Sequence, residues 1–345
     1  MLFYISLVSI IVLFFGNYSV GGNKKPEILF WFGIIILILV LALRFDIGAD
    51  YSQYYTNIMT AYKRQQNLNY EPLNKLLYTF SVPLESPAIL IALYAILTLI
   101  IVGFAIKQNC SNTFFGILTY ISLFYLSSFS TIRQGVSLAF VLYSYKYLRT
   151  YNYVRYYEII MVAILFHYSA VVCLFFPFLY RCKNRYAFFI ISFTVIAYFV
   201  CMKYIENVPI LSKYAMYMAV TSSFGGGNVQ KVFFWSLIFC SWIISYITGK
   251  KRNKTLMLCS FGCIFPILLG SHIGGRLAQF FYIYLCIAVP DILKNAGMVT
   301  KSLFCIVLVS WFLGYIFIAT DGENISAFLP YRTIFEVDLS NPVFK

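Results

Sequence analysis

Residues 159–179 read Ile159-Ile-Met-Val-Ala-Ile-Leu-Phe-His167-Tyr168-Ser169-Ala-Val-Val-Cys-Leu-Phe-Phe-Pro-Phe-Leu179, an apolar run interrupted once, near its centre, by His-Tyr-Ser. As one helix the run is long enough to cross a bilayer, which takes roughly 17–25 apolar residues. As two half-helices turning at the polar triplet it re-enters instead. Nine residues then reach only ~13 Å, about half the hydrocarbon core. The choice sets the side of the membrane for every later segment.

The rest of the chain is equally apolar. Of 345 residues, 61% are hydrophobic and only 11% are charged. Soluble domains carry about 25% charged residues, which excludes a soluble globular enzyme. Aromatic residues make up 20%, which excludes intrinsic disorder. Eleven apolar segments stand out: Leu2–Val20, Ile28–Leu43, Pro87–Ile106, Phe114–Ser130, Thr131–Leu148, Ile159–Leu179, Tyr186–Met202, Val232–Thr248, Thr255–Gly270, Leu277–Ile292 and Ser302–Ala319. Helices are expected, because backbone exposed to lipid must satisfy its own hydrogen bonds, and no segment alternates like a barrel strand. The first segment lacks a basic n-region and a small-residue cleavage site, so it reads as a retained helix. The predicted fold is therefore an all-α polytopic membrane protein, one integral domain over 1–345.

Charge supplies the topology. Lys and Arg number 26 against 12 Asp and Glu, a net of +14, and basic residues collect on cytoplasmic loops. With Lys24 and Lys25 inside, Lys107 and the Lys146/Arg149/Arg155 group also fall inside. A single crossing at 159–179 would then put Arg181, Lys183, Arg185 and the dense run Lys250-Lys251-Arg252-Lys254 outside. A re-entrant pair at 159–179 returns both to the inside. A crossing at Tyr204–Ser223 would rescue only the second. The preferred count is about ten transmembrane helices plus the re-entrant pair. About +12 of the charge is then cytoplasmic and about +2 faces out. The inner excess suits anionic lipid heads, and no nucleic-acid partner is needed to explain it. Residues 44–86, 203–231 and 320–345 become outer-face loops and tail.

The nine cysteines lie mostly inside apolar segments, where Cys acts as a small hydrophobe. Cys259 and Cys263 are four apart but lack a Cys/His cluster, so no metal site is expected.

Chemistry must come from few groups. Directly after the second segment stands Arg44-Phe-Asp-Ile-Gly48-Ala-Asp50-Tyr51-Ser-Gln-Tyr54, leading through an amphipathic stretch to Asn69-Tyr70-Glu71-Pro72. Arg133 and Gln134 sit at a span boundary, where an ionisable residue marks function by default. His167 lies at the break in 159–179. Ser271-His272-Ile-Gly274-Gly275-Arg276 places a basic pair beside glycines that would admit a phosphate to the backbone. The tail carries Pro330-Tyr331-Arg332. Four arginines (Arg44, Arg133, Arg276, Arg332) thus gather on the outer face. Arg binds phosphate oxygens bidentately and keeps its charge, which suits a lipid-linked diphosphate.

The ordered series R-x-x-x-G-x-D-Y-x-x-Y, E-P, I-R-Q, F-H-Y-S-A, G-R and P-Y-R resembles the EpsG family, grouped with Wzy-type polymerases of bacterial O-antigen, capsule and exopolysaccharide. Gly135 departs from the small Ala-like residue common in relatives. The resemblance implies a GT-C-like membrane glycosyltransferase. Its expected partners are undecaprenyl-diphosphate-linked glycan donor and acceptor, membrane lipid and a chain-length regulator protein. No cofactor or metal is implied. The expected location is the bacterial cytoplasmic membrane, with the active face periplasmic. On this reading Arg133, Arg276, Arg332 and Arg44 bind the diphosphate. His167 is the candidate base, with Asp50 and Glu71 competing. Tyr51, Tyr54, Gln134 and Tyr331 line the sugar path. A flippase for lipid-linked oligosaccharides and an O-antigen ligase are the alternatives. A flippase is expected to carry charges within many spans and an internal repeat, neither of which is visible.

Overall fold

The structure is a computed structural model that describes residues 1–20, 27–64, 70–84, 86–182, 227–249, 253–319 and 327–335. The expected crossing Tyr186–Met202, the loop 203–231 as far as residue 226, and most of the tail 320–345 lie outside the described residues. Among the described residues the fold is helical and contains no strand, with one isolated bridge between Arg44 and Thr333.

The helices follow the apolar segments. They are α1 (Leu2–Val20), α2 (Glu27–Ala42), α3 (Tyr51–Arg64), α4 (Pro72–Ser81), α5 (Pro87–Asn109), α6 (Thr113–Tyr120), α7 (Ser127–Ser130), α8 (Ile132–Arg149), α9 (Tyr153–Phe166) and α10 (Phe176–Arg181). After the undescribed stretch come α11 (Gly227–Ile247), α12 (Lys254–Phe261), α13 (Phe265–Leu268), α14 (Gly275–Tyr282), α15 (Leu285–Leu293) and α16 (Met298–Ile318). Three of them, Pro87–Asn109, Asn228–Ile247 and Met298–Ile318, are long and apolar enough to cross a membrane alone. The expected span Leu277–Ile292 is not straight: α14 and α15 meet at 41°. The expected span Phe114–Ser130 passes through a π-helical turn at Ile121–Tyr125. The expected span Thr255–Gly270 is divided where Gly262 packs against the Tyr282 ring and Pro266 enters α13. Proline lacks the N–H that a continuous helix would need there.

Side-chain caps start the helices at one end of the bundle. Asn112, Asn152 and Asn253 each accept a hydrogen bond from the backbone N–H three residues on. Such caps satisfy donors that a helix start leaves orphaned. Glu71-Pro72 opens α4 with proline at the first helical position, where its missing N–H costs nothing.

Residues 153–181 form a hairpin. α9 ends where His167 turns extended (φ −157°, ψ 113°), and a 3-10 helix, Tyr168–Phe175, leads into α10. The Tyr156 hydroxyl donates to the Cys173 carbonyl at 2.8 Å. The Tyr145 and Tyr151 rings both lie against Tyr180. A straight helix would hold residues 156 and 173 about 25 Å apart, so the chain reverses at His167. Its arms are longer than nine residues because α9 begins at Tyr153 and the return runs to Arg181. Arg181 therefore comes back to the end of the bundle that holds Arg149, and Lys254 joins it there by donating to the Tyr151 hydroxyl at 3.1 Å.

The opposite end is pinned by Arg44. Its side chain is 1% exposed and donates to the backbone carbonyls of Ile47 (3.1 Å), Phe129 (2.9 Å) and Leu41. The guanidinium also lies over the Phe129 ring. Gly48, at φ +102°, approaches the Phe129 carbonyl so closely that a Cβ would collide with it. The Phe45 N–H donates to Arg332 O, and the Tyr331 hydroxyl donates to Val40 O. The tail is thereby stitched across the end of α2.

The hairpin gives a direct expectation. Single cysteines replacing Arg149 and Arg181 should react with a membrane-impermeant thiol reagent from the same side of the membrane, and one replacing Ser169 from the other. Opposite-side labelling of positions 149 and 181 would mean that 153–181 crosses once.

Candidate functional site

A carboxylate lies at the centre of the Arg44 end of the bundle. Glu71, 5% exposed, precedes α4 and faces side chains from three other segments. Arg133, in the first turn of α8, donates from Nη1 to Glu71 Oε2 at 2.7 Å. His167, at the hairpin tip, places Nδ1 3.2 Å from Oε1. Asn74, one turn into α4, donates to Oε2 at 2.8 Å.

Asn74 locks the arrangement. Its Nδ2 also donates to the Phe166 carbonyl at 2.6 Å, and its Oδ1 accepts from the Tyr94 hydroxyl at 2.6 Å. Both Nδ2 partners can only accept, so a flipped amide would set oxygen against oxygen. The residue before His167 is thus tied to the same amide that holds the carboxylate. Arg133 is fixed in turn by the Tyr70 ring, 4.7 Å beneath its guanidinium carbon, and by a hydrogen bond to the Tyr54 hydroxyl.

These contacts set protonation. Burial raises the Glu71 pKa, but hydrogen bonds from His167, its own backbone N–H and Asn74, with the Arg133 charge, outweigh it. The result is a carboxyl brought down to about 2. Glu71 is an ionised acceptor at neutral pH and a poor base. Its acceptor role makes His167 Nδ1 the donor, which leaves Nε2 as the proton-accepting nitrogen. Burial pushes the Tyr54 hydroxyl up to about 12, with Asp50 adding to the rise and Arg133 opposing it, so Tyr54 stays neutral.

Helix α14 forms the facing wall. Phe280 stacks near His167, ring centroids 6.5 Å apart and 17° from parallel. Arg276 lies four residues earlier, on the same helix face. Gln134 donates to Arg276 O at 2.8 Å and to Gln279 Oε1 at 3.2 Å, fixing α14 to the turn that carries Arg133. Arg276 makes no ion pair among the described residues. Gly274 is needed for packing, because a Cβ there would meet Phe265 O at 2.1 Å. Only Gly275 is open. The side chain of His272 lies outside the described residues.

The structure therefore sorts the sequence-derived residues. Glu71, Arg133, His167 and Tyr54 meet directly, and Gln134 and Arg276 adjoin them. Asp50 lies within electrostatic range of Tyr54. Arg44 is displaced from the diphosphate role, since it is buried with its guanidinium held by backbone carbonyls. Tyr51 packs on Phe45 at 5.7 Å and is buried, so its ring is no sugar platform. The Tyr331 ring stacks on Phe3 at 3.9 Å. Arg332 keeps an exposed side chain beside that cluster. Sequence reasoning missed Asn74 and Tyr94. Asn74 stands three residues after Glu71, one helical turn away. Tyr94 is a hydroxyl inside an apolar helix, where it needs a partner. Among the described residues, no group of His, Cys, Asp and Glu could hold a metal ion.

The EpsG family model matches residues 27–333, nearly the whole chain. The chain belongs to the EpsG family, a family of Wzy-type polysaccharide polymerase-like proteins. With its apolar helices, it is a membrane protein of polysaccharide biosynthesis. No curated protein and no solved structure matches it.

Glu71 makes stability depend on acid pH. Its folded pKa is about 2 against an ordinary 4.5, so its contribution is complete above about pH 4.5 and is lost as pH falls through about 2. Glu71→Gln should cost about 3 kcal/mol at neutral pH by removing the counter-charge of the part-buried Arg133. The deficit should shrink below about pH 4.5 in thermal unfolding of the detergent-purified protein. A deficit that stays constant down to about pH 2.5 would contradict the assignment.

Proposed function

We propose that this EpsG-family chain is a glycosyltransferase that polymerises undecaprenyl-diphosphate-linked oligosaccharide repeat units at the outer leaflet of the bacterial cytoplasmic membrane. The observation that carries the reading is the Glu71-anchored pair of His167 and Arg133, with Arg276 across from it, at the end of the bundle opposite the basic cluster of Arg149, Arg181 and Lys254. Basic residues favour the cytoplasmic side, so the site faces outward. The finer architecture belongs to this proposal: about ten crossings, a GT-C-like arrangement, and 44–86, 203–231 and 320–345 on the outer face. So do the product class (O-antigen, capsule or exopolysaccharide) and a chain-length regulator as partner.

In the proposed reaction, the acceptor sugar's hydroxyl oxygen attacks the anomeric carbon of the donor glycan. The bond from that carbon to the diphosphate oxygen breaks, and its electron pair leaves on undecaprenyl diphosphate. The hydroxyl proton passes to His167 Nε2. Glu71 remains ionised and stabilises the imidazolium, while Asn74 holds the carboxylate in place. Leaving-group charge is the main quantity to stabilise. Arg133 is already partnered by Glu71, so Arg276 supplies the uncompensated positive charge, with Arg332 at the rim. Tyr54 and Tyr70 position Arg133, and Gln134 positions Arg276.

In vivo chain length tests the assignment at matched protein level. His167→Ala and Arg276→Ala should leave surface glycan capped with a single repeat, a loss on the order of 10²–10⁴ for a general base. Arg44→Ala should instead lower the amount of folded protein, because it strands three buried carbonyls. Long polymer from both site variants would sink the reading. Intermediates trapped on the cytoplasmic leaflet would favour a flippase.

A further inference from the structure

The basic end of the bundle carries a second convergence of charge that the polymerisation site does not use. Arg181, closing α10, lies 4.7 Å over the Tyr153 ring and 5.9 Å over Tyr151. Lys254, opening α12, lies 5.6 Å over Tyr151 and 5.3 Å over Tyr180, and also donates to the Tyr151 hydroxyl. Arg149, closing α8, is within electrostatic range of the Tyr180 hydroxyl. Three cations from three helices thus gather around three tyrosines. None of the three forms an ion pair with a carboxylate among the described residues.

Two further observations mark this as more than a solvated basic loop. Tyr151, the ring shared by Arg181 and Lys254, has φ +59°, a left-handed conformation that strains a non-glycine residue. The buried Tyr153 hydroxyl, beneath Arg181, has no hydrogen-bond partner. Strain, an unmet donor and uncompensated charge coincide at one place.

The adjoining surface is apolar. Phe178, one turn before Arg181, is 63% exposed, and Phe175 is 65% exposed. A ligand with a phosphate at the cations and hydrocarbon along α10 satisfies both surfaces at once.

We propose that Arg149, Arg181 and Lys254 form a binding site for the phosphate of an acidic phospholipid in the leaflet at the basic end of the bundle. The lipid's acyl chains lie along Phe175 and Phe178. The guanidinium groups and the ammonium hold the phosphate oxygens, and Tyr151 spaces the cations. The occupant is a lipid rather than free phosphate because the exposed Phe175 and Phe178 stand six and three residues before Arg181 on the segment that carries it.

The test is a thermal-shift titration of the full chain in a neutral maltoside detergent. Phosphatidylglycerol, phosphatidylcholine and inorganic phosphate are compared as probes. Phosphatidylglycerol should raise the melting temperature saturably, with phosphatidylcholine nearly inert and inorganic phosphate far weaker. Arg181→Gln with Lys254→Gln should weaken phosphatidylglycerol binding about thirtyfold, from about 1 kcal/mol per basic residue facing an acidic lipid. Arg149→Gln leaves every cation–π contact in place and should weaken it about fivefold, which keeps the test valid if the double variant folds poorly. Unchanged affinity in Arg149→Gln, or equal shifts from phosphatidylglycerol and phosphatidylcholine, overturns the site. Equal shifts from inorganic phosphate and phosphatidylglycerol overturn the lipid as its occupant.

Discussion

One buried carboxylate organises the Arg44 end of this molecule. Glu71 is withdrawn from water, and an isolated charge there would be costly. Its partners come from elements far apart in sequence: Arg133 from α8, His167 from the hairpin tip, and Asn74 from α4, itself tied to Tyr94 of α5. Satisfying Glu71 therefore brings α4, α5, α8 and α9 to one point. The same ionised carboxylate fixes the tautomer of His167 and restrains Arg133. The local packing rests on a single charge.

Arginines alike in sequence divide into distinct roles once the chain is folded. Arg44 follows one apolar helix as Arg133 begins another, yet Arg44 is consumed by the backbone carbonyls of Leu41, Ile47 and Phe129. Arg133 is paired with Glu71, and Arg276 makes no ion pair among the described residues. A buried guanidinium with several carbonyl acceptors is a structural cross-link. No pattern of neighbouring residues distinguishes these cases, because the deciding acceptors (Phe129 O for Arg44, Glu71 for Arg133) lie about 60 to 85 residues away.

The membrane imposes the remaining order. The hairpin at His167 returns Arg181 to the end that holds Arg149, and Lys254 packs against the same tyrosines. Arg149, Arg181 and Lys254 thereby collect at one end, and the histidine–carboxylate pair occupies the other.

The apolar segments, the polar break at His167, and Glu71, Arg133 and Arg276 as polar groups that need partners were legible in the sequence. Each follows from local composition or from a rule about charge and bilayers. The bend between α14 and α15, the π turn after α6, and the positions of Asn74 and Tyr94 in the Glu71 network were not. They depend on which helices touch, and one apolar helix face resembles another until it is packed. Sequence alone determined that this chain lies in a membrane and which polar residues must be accounted for. Only the tertiary structure decided which of them meet, because a buried charge takes its role from its partners.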